Sequence, residues 1–315
     1  MAIGATKPAT PAAVADGATG GGRAHDLASA ATVPPPSAEQ EDVRIPPGTM
    51  VADRYRIARV LGEGGMGVVY AAEHVLMRKE VAVKVLHAEM CSMPEVVARF
   101  EREAIAAAHI DHPNVAGATD FGRLPDGSCY LVLELLRGTS LREEITKGPI
   151  PLPRALRILR GIASGVSAAH VKGIVHRDIK PENVMLVERD GDPDFVKVLD
   201  FGIAKVDPNV AAPEGGGKVL TRVGTVFGTP EYMSPEQAVG DTVDARADLY
   251  AIGVVFLEML TGKCPFTGNA LSILRERILA VGPPDMSGIE DAGARALVAR
   301  LLTRQPDDRM QTAAE

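Results

Sequence analysis

"IVHRDIKPENVMLV" (residues 174–187) sets a carboxylate, an ammonium and an amide, those of Asp178, Lys180 and Asn183, in one short loop ahead of a strand-like run. Taken singly, an Asp in a loop is usually a turn residue. Together the three offer a base, a clamp for phosphate oxygens and a ligand for a hard cation. Seventeen residues beyond Asn183, "VKVLDFG" (196–202) ends a second β-rich run in Asp200, Phe201 and Gly202. A carboxylate at a strand end, beside an amide from the neighbouring strand, suits a magnesium ion shared with phosphate oxygens.

Upstream, "LGEGGMGVVY" (61–70) spaces Gly62, Gly64 and Gly67 as G-x-G-x-x-G. That pattern opens dinucleotide-binding βαβ units and also covers the phosphates of ATP in an unrelated fold. A dinucleotide site needs a helix directly after the glycines and an acidic residue about 20 positions on. Here Val68, Val69 and Tyr70 continue as strand, and the position about 20 on falls in "VAVKVL" (81–86). The glycines therefore read as the turn of a β-hairpin, and a dinucleotide oxidoreductase is set aside.

The remaining chain places these motifs in two lobes. Its 315 residues suit one large domain or two lobes sharing a cleft. A net charge of -7 argues against nucleic acid or an anionic membrane as partner. Cys91, Cys129 and Cys264 lie far apart with no CxxC or Cys/His cluster, so neither a disulfide framework nor a zinc site is indicated, and a reducing cytoplasm is expected. "LYAIGVVFLEML" (249–260), the longest apolar candidate, is too short to span a membrane, carries Glu258 and reads as a buried helix. The N-terminus has no signal-peptide pattern.

Residues 1–48, rich in Ala, Gly, Pro and Thr, read as a disordered tail. Residues 49–136 predict a small antiparallel sheet with one helix, "PEVVARFEREAIAAAH" (94–109). Ser92 and Glu95 read as a capping box, with Pro94 in the first turn. Residues 137–315 predict a mainly helical lobe. In its helix at "PRALRILRGIASGVSAAHVKG" (153–173), Leu156, Leu159, Ile162, Ala163, Val166 and Ala169 share one face. "NVMLV" and "FVKVLD" predict a strand pair, and a long irregular stretch follows over 202–233.

"HRDIKPEN", "DFG", the glycine hairpin and "VAVK", in this order, resemble the signature set of protein kinases. "LGEGGMGVVYAAEH", "REA", "HPN", "DIKPEN" and "SPEQA" are similar to the bacterial Hanks-type (eukaryotic-like) serine/threonine protein kinases, from Tyr55 to the end of the chain. The resemblance implies an α+β, bilobal protein-kinase fold and transfer of the γ-phosphoryl of Mg-ATP to serine or threonine of protein substrates. It further implies that Lys84 reaches the α- and β-phosphates and is held by Glu103, which shares a helix face with Val96, Phe100 and Ala107. Leu61, Gly62, Gly64 and Gly67 would cover the nucleotide. Val69 and Ala82 above and Met185 below would enclose adenine, with backbone from Glu134 to Leu136 at its edge and Leu133 behind.

In the same resemblance Asp178 accepts or orients the proton of the attacking hydroxyl, and Lys180 neutralises the transferring phosphoryl. Asn183 and Asp200 hold Mg²⁺, Thr229 bridges Asp178 and Lys180, and His176 packs the loop. Arg177 would receive a phosphate from the activation segment, with autophosphorylation expected at Thr221, Thr225 or both. Glu236 would pair with Arg309, and Asp248 would brace the catalytic-loop backbone. Ser234 and Met310 depart from the family's usual alanine and proline. Self-association for trans-autophosphorylation is a family property with no residue-level support in this sequence.

A pseudokinase scaffold would lack Lys84, Asp178, Asn183 or Asp200, and all four are present. Small-molecule kinases such as the aminoglycoside phosphotransferases lack a segment like "GTPEYMSPE" (228–236). The chain ends at "QTAAE" (311–315), soon after Arg309, so a shortened last helix is expected. Many relatives continue into a transmembrane segment and a sensor domain, and this sequence shows neither.

Overall fold

The computed structural model describes residues 44–64, 67–201, 229–279, 282 and 284–315, with the side chains of residues 95, 99, 103 and 106 outside that set. The tail read as disordered lies outside the described residues as far as residue 43. Residues 44–48 run along the sheet: the Ile45 N–H donates to the Tyr70 hydroxyl at 3.0 Å and the Gly48 N–H to the Ile57 carbonyl at 2.7 Å.

Six antiparallel strands form the first lobe: β1 (Met50–Val51), β2 (Tyr55–Gly64), β3 (Gly67–His74), β4 (Lys79–Leu86), β5 (Ala118–Arg123) and β6 (Cys129–Glu134), in the order β1-β2-β3-β4-β6-β5. The period-2 alternation of "EVAVKVL" divides this sheet into two faces. Val81, Val83 and Val85 join Val68, Tyr70, Ala72 and Val132 in one apolar cluster. On the other face Leu86, Cys129 and Leu131 pack against Val97, Phe100 and Ala104 of helix α2 (Pro94–His109). Lys84 therefore leaves the sheet on the side that α2 covers.

Ser92 is not the N-cap of α2, and the Glu95 side chain of the expected capping box lies outside the described set. The cap position is Met93, without a side-chain hydrogen bond. Ser92 instead closes a preceding short helix, α1 (Ala88–Cys91), and its hydroxyl donates back to the Glu89 carbonyl at 2.6 Å. Pro94 at the first helical position has no N–H to satisfy, which lowers the need for a cap.

The second lobe contains α3 (Leu141–Thr146), α4 (Leu152–Val171), α5 (Pro235–Val239), α6 (Arg246–Thr261), α7 (Ala270–Leu279) and α8 (Ala292–Leu301). It also holds a small sheet of β7 (Gly138–Ser140), β8 (Val184–Arg189) and β9 (Asp192–Val198). Helix α6 is buried without interruption from Ala247 to Met259 and is the centre of the lobe's core.

Helix α4 forms where the periodicity places it, but with a rotated face. Its buried residues are Ala155, Ile158, Leu159, Ile162, Gly165, Val166 and Ala169, whereas Leu156 is 41% exposed and Ala163 is half-buried. Close backbone approach explains the rotation. A Cβ on Gly165 would lie 2.9 Å from the Asn114 carbonyl oxygen, so the helix presents a glycine where hydropathy assigns no weight. Asn114 in turn donates its side-chain amide to the Val196 carbonyl at 2.8 Å, and Val115 bridges Val198 in parallel. The loop after α2 is thereby fastened to β9, the strand that leads to Asp200.

These burials give a direct stability test. Ile162→Ala removes a fully buried side chain and is expected to cost about 2–5 kcal/mol, whereas Leu156→Ala should stay within about 0.5 kcal/mol, as read by urea unfolding.

Candidate active site

The glycine motif is a β-hairpin, with Gly62 opposite Val69, Glu63 opposite Val68 and Gly64 opposite Gly67. The glycines differ in what they do. A Cβ at Gly67 would lie 2.1 Å from the Val85 carbonyl oxygen, so glycine is required there by the neighbouring strand. A Cβ at Gly62 or Gly64 would meet nothing within 4 Å, so these two leave bare backbone facing open space.

On β4, Lys84 lies opposite Val69 and Leu131, and Ala82 opposite Ala71 and Leu133. Ala82 is buried, Val69, Leu133, Leu136 and Met185 are half-buried, and Leu61 is exposed at the rim. Leu133 sits one residue before Glu134, the last residue of β6, where the chain leaves the first lobe. The Glu134 N–H donates to the Gly117 carbonyl at 3.0 Å, and the Glu134 carboxylate accepts from Lys197 Nζ at 2.7 Å.

Across the cleft, the Lys84 ammonium lies 3.3 Å from Asp200 Oδ1. Asp200 stands at φ +44° and Arg177 at φ +63°, left-handed conformations that cost a non-glycine residue about 1–3 kcal/mol. They persist because their surroundings are heavily cross-linked. The buried Asp248 carboxylate on α6 accepts the His176 N–H at 2.8 Å, the Arg177 N–H at 2.7 Å and His170 Nε2–H at 2.7 Å. His176 donates Nε2–H to the Leu199 carbonyl at 2.8 Å and accepts the Asp178 N–H on Nδ1 at 3.3 Å. Complete burial lowers its pKa, so the ring is neutral, in the tautomer these two bonds require. Its ring packs on Phe201 with centroids 4.6 Å apart. His176 thus orders the loop and is not poised as an acid or base.

Next to this frame, Lys180 Nζ lies 3.2 Å from Asp178 Oδ2 and donates to Thr229 Oγ1 at 3.0 Å. The Asn183 side-chain nitrogen donates to the Asp178 carbonyl at 2.9 Å, which commits the amide's N end to the loop and leaves its oxygen as the acceptor end. The Leu199 N–H donates to the Asn183 carbonyl at 2.9 Å, setting Asn183 next to the Asp200 backbone. Lys84 with Asp200, and Asn183 with Asp178, Lys180 and Thr229, therefore form two contact groups, joined through the Leu199 backbone that precedes Asp200.

Four positions named from the sequence lie farther down. Arg309 donates to Glu236 at 2.8 and 3.1 Å, and its side chain is completely buried. Ser234 is the N-cap of α5 in a capping box with Gln237, which gives the departure from alanine a structural use, and Met310 is buried in the core. Glu103 lies on α2 with its side chain outside the described set, and Thr221 and Thr225 fall in 202–228, outside the described residues.

Three residues of this frame escaped the sequence reading. Lys197 interrupts an apolar strand and is buried, a signal that it needs a carboxylate partner, yet nothing local points to Glu134. His170 and Arg142 meet their partners, Asp248 and Glu258, from distant positions in the chain.

The sequence pattern of the protein kinase domain family matches residues 55–315. The chain belongs to the protein kinase domain family. It is 41% identical over 272 residues to the serine/threonine-protein kinase pkn3 of Myxococcus xanthus, covering 84% of this chain and 49% of that protein. It is 38% identical to the serine/threonine-protein kinase PknB of Mycobacterium tuberculosis, covering 84% of this chain and 42% of the relative. This kinase-domain chain spans about half or less of the length of these relatives. The crystal structure of the Mycobacterium tuberculosis PknI kinase domain aligns with a TM-score of 0.65 at 26% identity, over 86% of this chain and 96% of that one. The architecture is the bilobal kinase fold. No helix among the described residues is long and apolar enough to cross a membrane.

The buried Glu236–Arg309 pair yields a second test. Arg309→Met strands a buried carboxylate and is expected to lower stability by about 3–5 kcal/mol, while adding Glu236→Gln recovers part of that loss in thermal unfolding.

Proposed function

We propose that the chain is a serine/threonine protein kinase that transfers the γ-phosphoryl of ATP to protein hydroxyls. The observation that carries this reading is the pair of contact groups, Lys84 with Asp200 and Asn183 with Asp178, Lys180 and Thr229, joined by the Leu199 N–H on the Asn183 carbonyl. It sets a cation, two oxygen ligands, a base and a second cation along one cleft.

The open backbone at Gly62 and Gly64 leaves room for phosphate oxygens beneath the hairpin, and Lys84, opposite Val69 on the next strand, would pair with them. The half-buried apolar residues Val69, Leu133 and Met185, with Ala82, suit a flat adenine ring at the lobe junction, with Leu136 at its edge. Asp200 and the oxygen of Asn183 fit Mg²⁺, which takes one or two protein oxygens and fills its octahedron with water and phosphate. When bound, that ion neutralises charge building on the β- and γ-phosphate oxygens.

Asp178 orients the acceptor hydroxyl and takes its proton as the new O–P bond forms and the bond from the γ-phosphorus to the bridging oxygen of ADP breaks, so that ADP leaves. Lys180, held by Thr229, neutralises the oxygens of the moving phosphoryl. Little covalent chemistry falls to the protein, so positioning and electrostatics supply the acceleration. Thr221 and Thr225 are proposed autophosphorylation sites whose phosphates pair with Arg177. Phosphopeptide mapping after incubation with ATP should recover one or both.

The reading is tested with radiolabelled ATP and a generic basic protein as acceptor. Wild type should label the acceptor. Asp178→Asn should lower the rate about 100- to 10,000-fold, and chelation of Mg²⁺ should abolish labelling. Equal labelling by wild type and Asp178→Asn would overturn it.

A further inference from the structure

Arg142, in the first turn of α3, is held by three acceptors from three different parts of the second lobe. Its Nε donates to Glu182 Oε1 at 2.7 Å, its Nη1 to Glu258 Oε1 at 2.7 Å and its Nη2 to the Tyr232 hydroxyl. The Tyr232 hydroxyl donates onward to Glu258 Oε2 at 2.6 Å. Glu258 and Tyr232 are buried, whereas the Glu182 side chain is 45% exposed.

The three acceptors sit at telling positions. Glu182 lies between Lys180 and Asn183 in the 3₁₀ turn Pro181–Asn183. Tyr232 ends the 3₁₀ turn Pro230–Tyr232 that follows Thr229. Glu258 is on α6, the helix that also supplies Asp248. The guanidinium thus joins the same two segments that the Lys180–Thr229 contact joins, and anchors both to α6.

The chemistry of the clasp requires an arginine. A planar fork reaches three acceptors in fixed directions, whereas a lysine ammonium on a flexible stem cannot hold all three. Burial opposes the guanidinium's charge, but the bonds to Glu258 and Glu182 outweigh it and raise its pKa. Burial and the neighbouring Glu258 carboxylate raise the Tyr232 pKa, so its hydroxyl keeps the proton it donates. If the role were stability alone, the buried Glu258–Tyr232 pair would suffice. The arm to half-exposed Glu182 adds little burial and instead reaches the loop that carries Asp178 and Asn183.

We infer that Arg142 is a positioning residue that clamps the catalytic loop to the segment beginning at Thr229, keeping Lys180 on Thr229 and Asp178 aimed at the acceptor hydroxyl. The inference rests on the proposed kinase reading for its catalytic consequence, and on geometry alone for the clamp.

The test uses the full chain as wild type, Arg142→Ala, Arg142→Lys, Glu182→Gln and Asp178→Asn. A small misplacement of reacting groups costs up to about 100-fold, so Arg142→Ala should lower kcat about 10- to 100-fold, with Glu182→Gln in the same direction and smaller. The KM for ATP should stay within about twofold in both, because none of the clamp's three acceptors lines the proposed adenine pocket or the glycine hairpin. Arg142→Lys should resemble Arg142→Ala. Added methylguanidinium should restore activity to Arg142→Ala and not to Asp178→Asn.

Hydrogen exchange at residues 178–183 and 229–239 should quicken in Arg142→Ala and Glu182→Gln. Unchanged kcat in both variants, or a KM for ATP that rises as kcat falls, would overturn the inference. Should Arg142→Ala not fold, Glu182→Gln carries the test, since its half-exposed side chain leaves the buried pair intact. If wild type is no more active than Asp178→Asn, the kinase reading fails, and hydrogen exchange alone decides the clamp. Faster exchange in Glu182→Gln upholds it and unchanged exchange overturns it.

Discussion

A buried carboxylate would ordinarily destabilise the helix core that contains it, yet Asp248 sits near the start of α6 with only 1% of its surface exposed. Its charge is met by two backbone N–H groups, of His176 and Arg177, and by the ring of His170. Charge-assisted bonds of this kind are strong and directional in a dry interior. They hold Arg177 in a left-handed conformation that its own side chain would not choose. With that peptide set, His176 turns inward to Leu199 and Phe201, and its ring ties the backbone at Asp178 to the backbone just before Asp200. The core of the second lobe thus positions the chemistry through a single helix residue.

The first lobe is oriented by a related logic. Its sheet has two apolar faces, and Lys84 emerges on the one that α2 covers. The loop after α2 is bonded to β9 through Asn114, Ala116 and Val198, so the sheet and the strand leading to Asp200 are fastened together. Lys197 adds a buried cation on Glu134 where the lobes join. The Glu134 carboxylate is half-exposed, so the pair is weak evidence for stability, yet the buried Lys197 has to keep it and so marks where β9 meets the end of β6.

Much of the fold was legible in local pattern. Alternation in "EVAVKVL", the glycine hairpin and the run from Pro94 to His109 correspond to elements at nearly the stated positions. The misreadings have specific causes. Ser92 and Glu95 fit a capping box by spacing, but the preceding turn closes as a helix and draws the Ser92 hydroxyl backwards. Leu156 fits the apolar stripe of α4 by period. The helix instead turns its glycines toward Asn114 and Val196, because only a glycine allows backbone to come that close.

By itself the sequence determined the strand alternation, the helix spans, the order of the motifs and the side chains proposed to react, since each depends on residues close together in the chain. Tertiary structure alone decided which distant groups meet. Lys197 with Glu134, His170 with Asp248, and Arg142 with Glu182, Tyr232 and Glu258 are separated by 40 to 116 residues. No periodicity or local propensity encodes such pairs. They follow from packing, which buries Lys197, Asp248 and Glu258 and leaves each only the partner that the folded chain brings within reach.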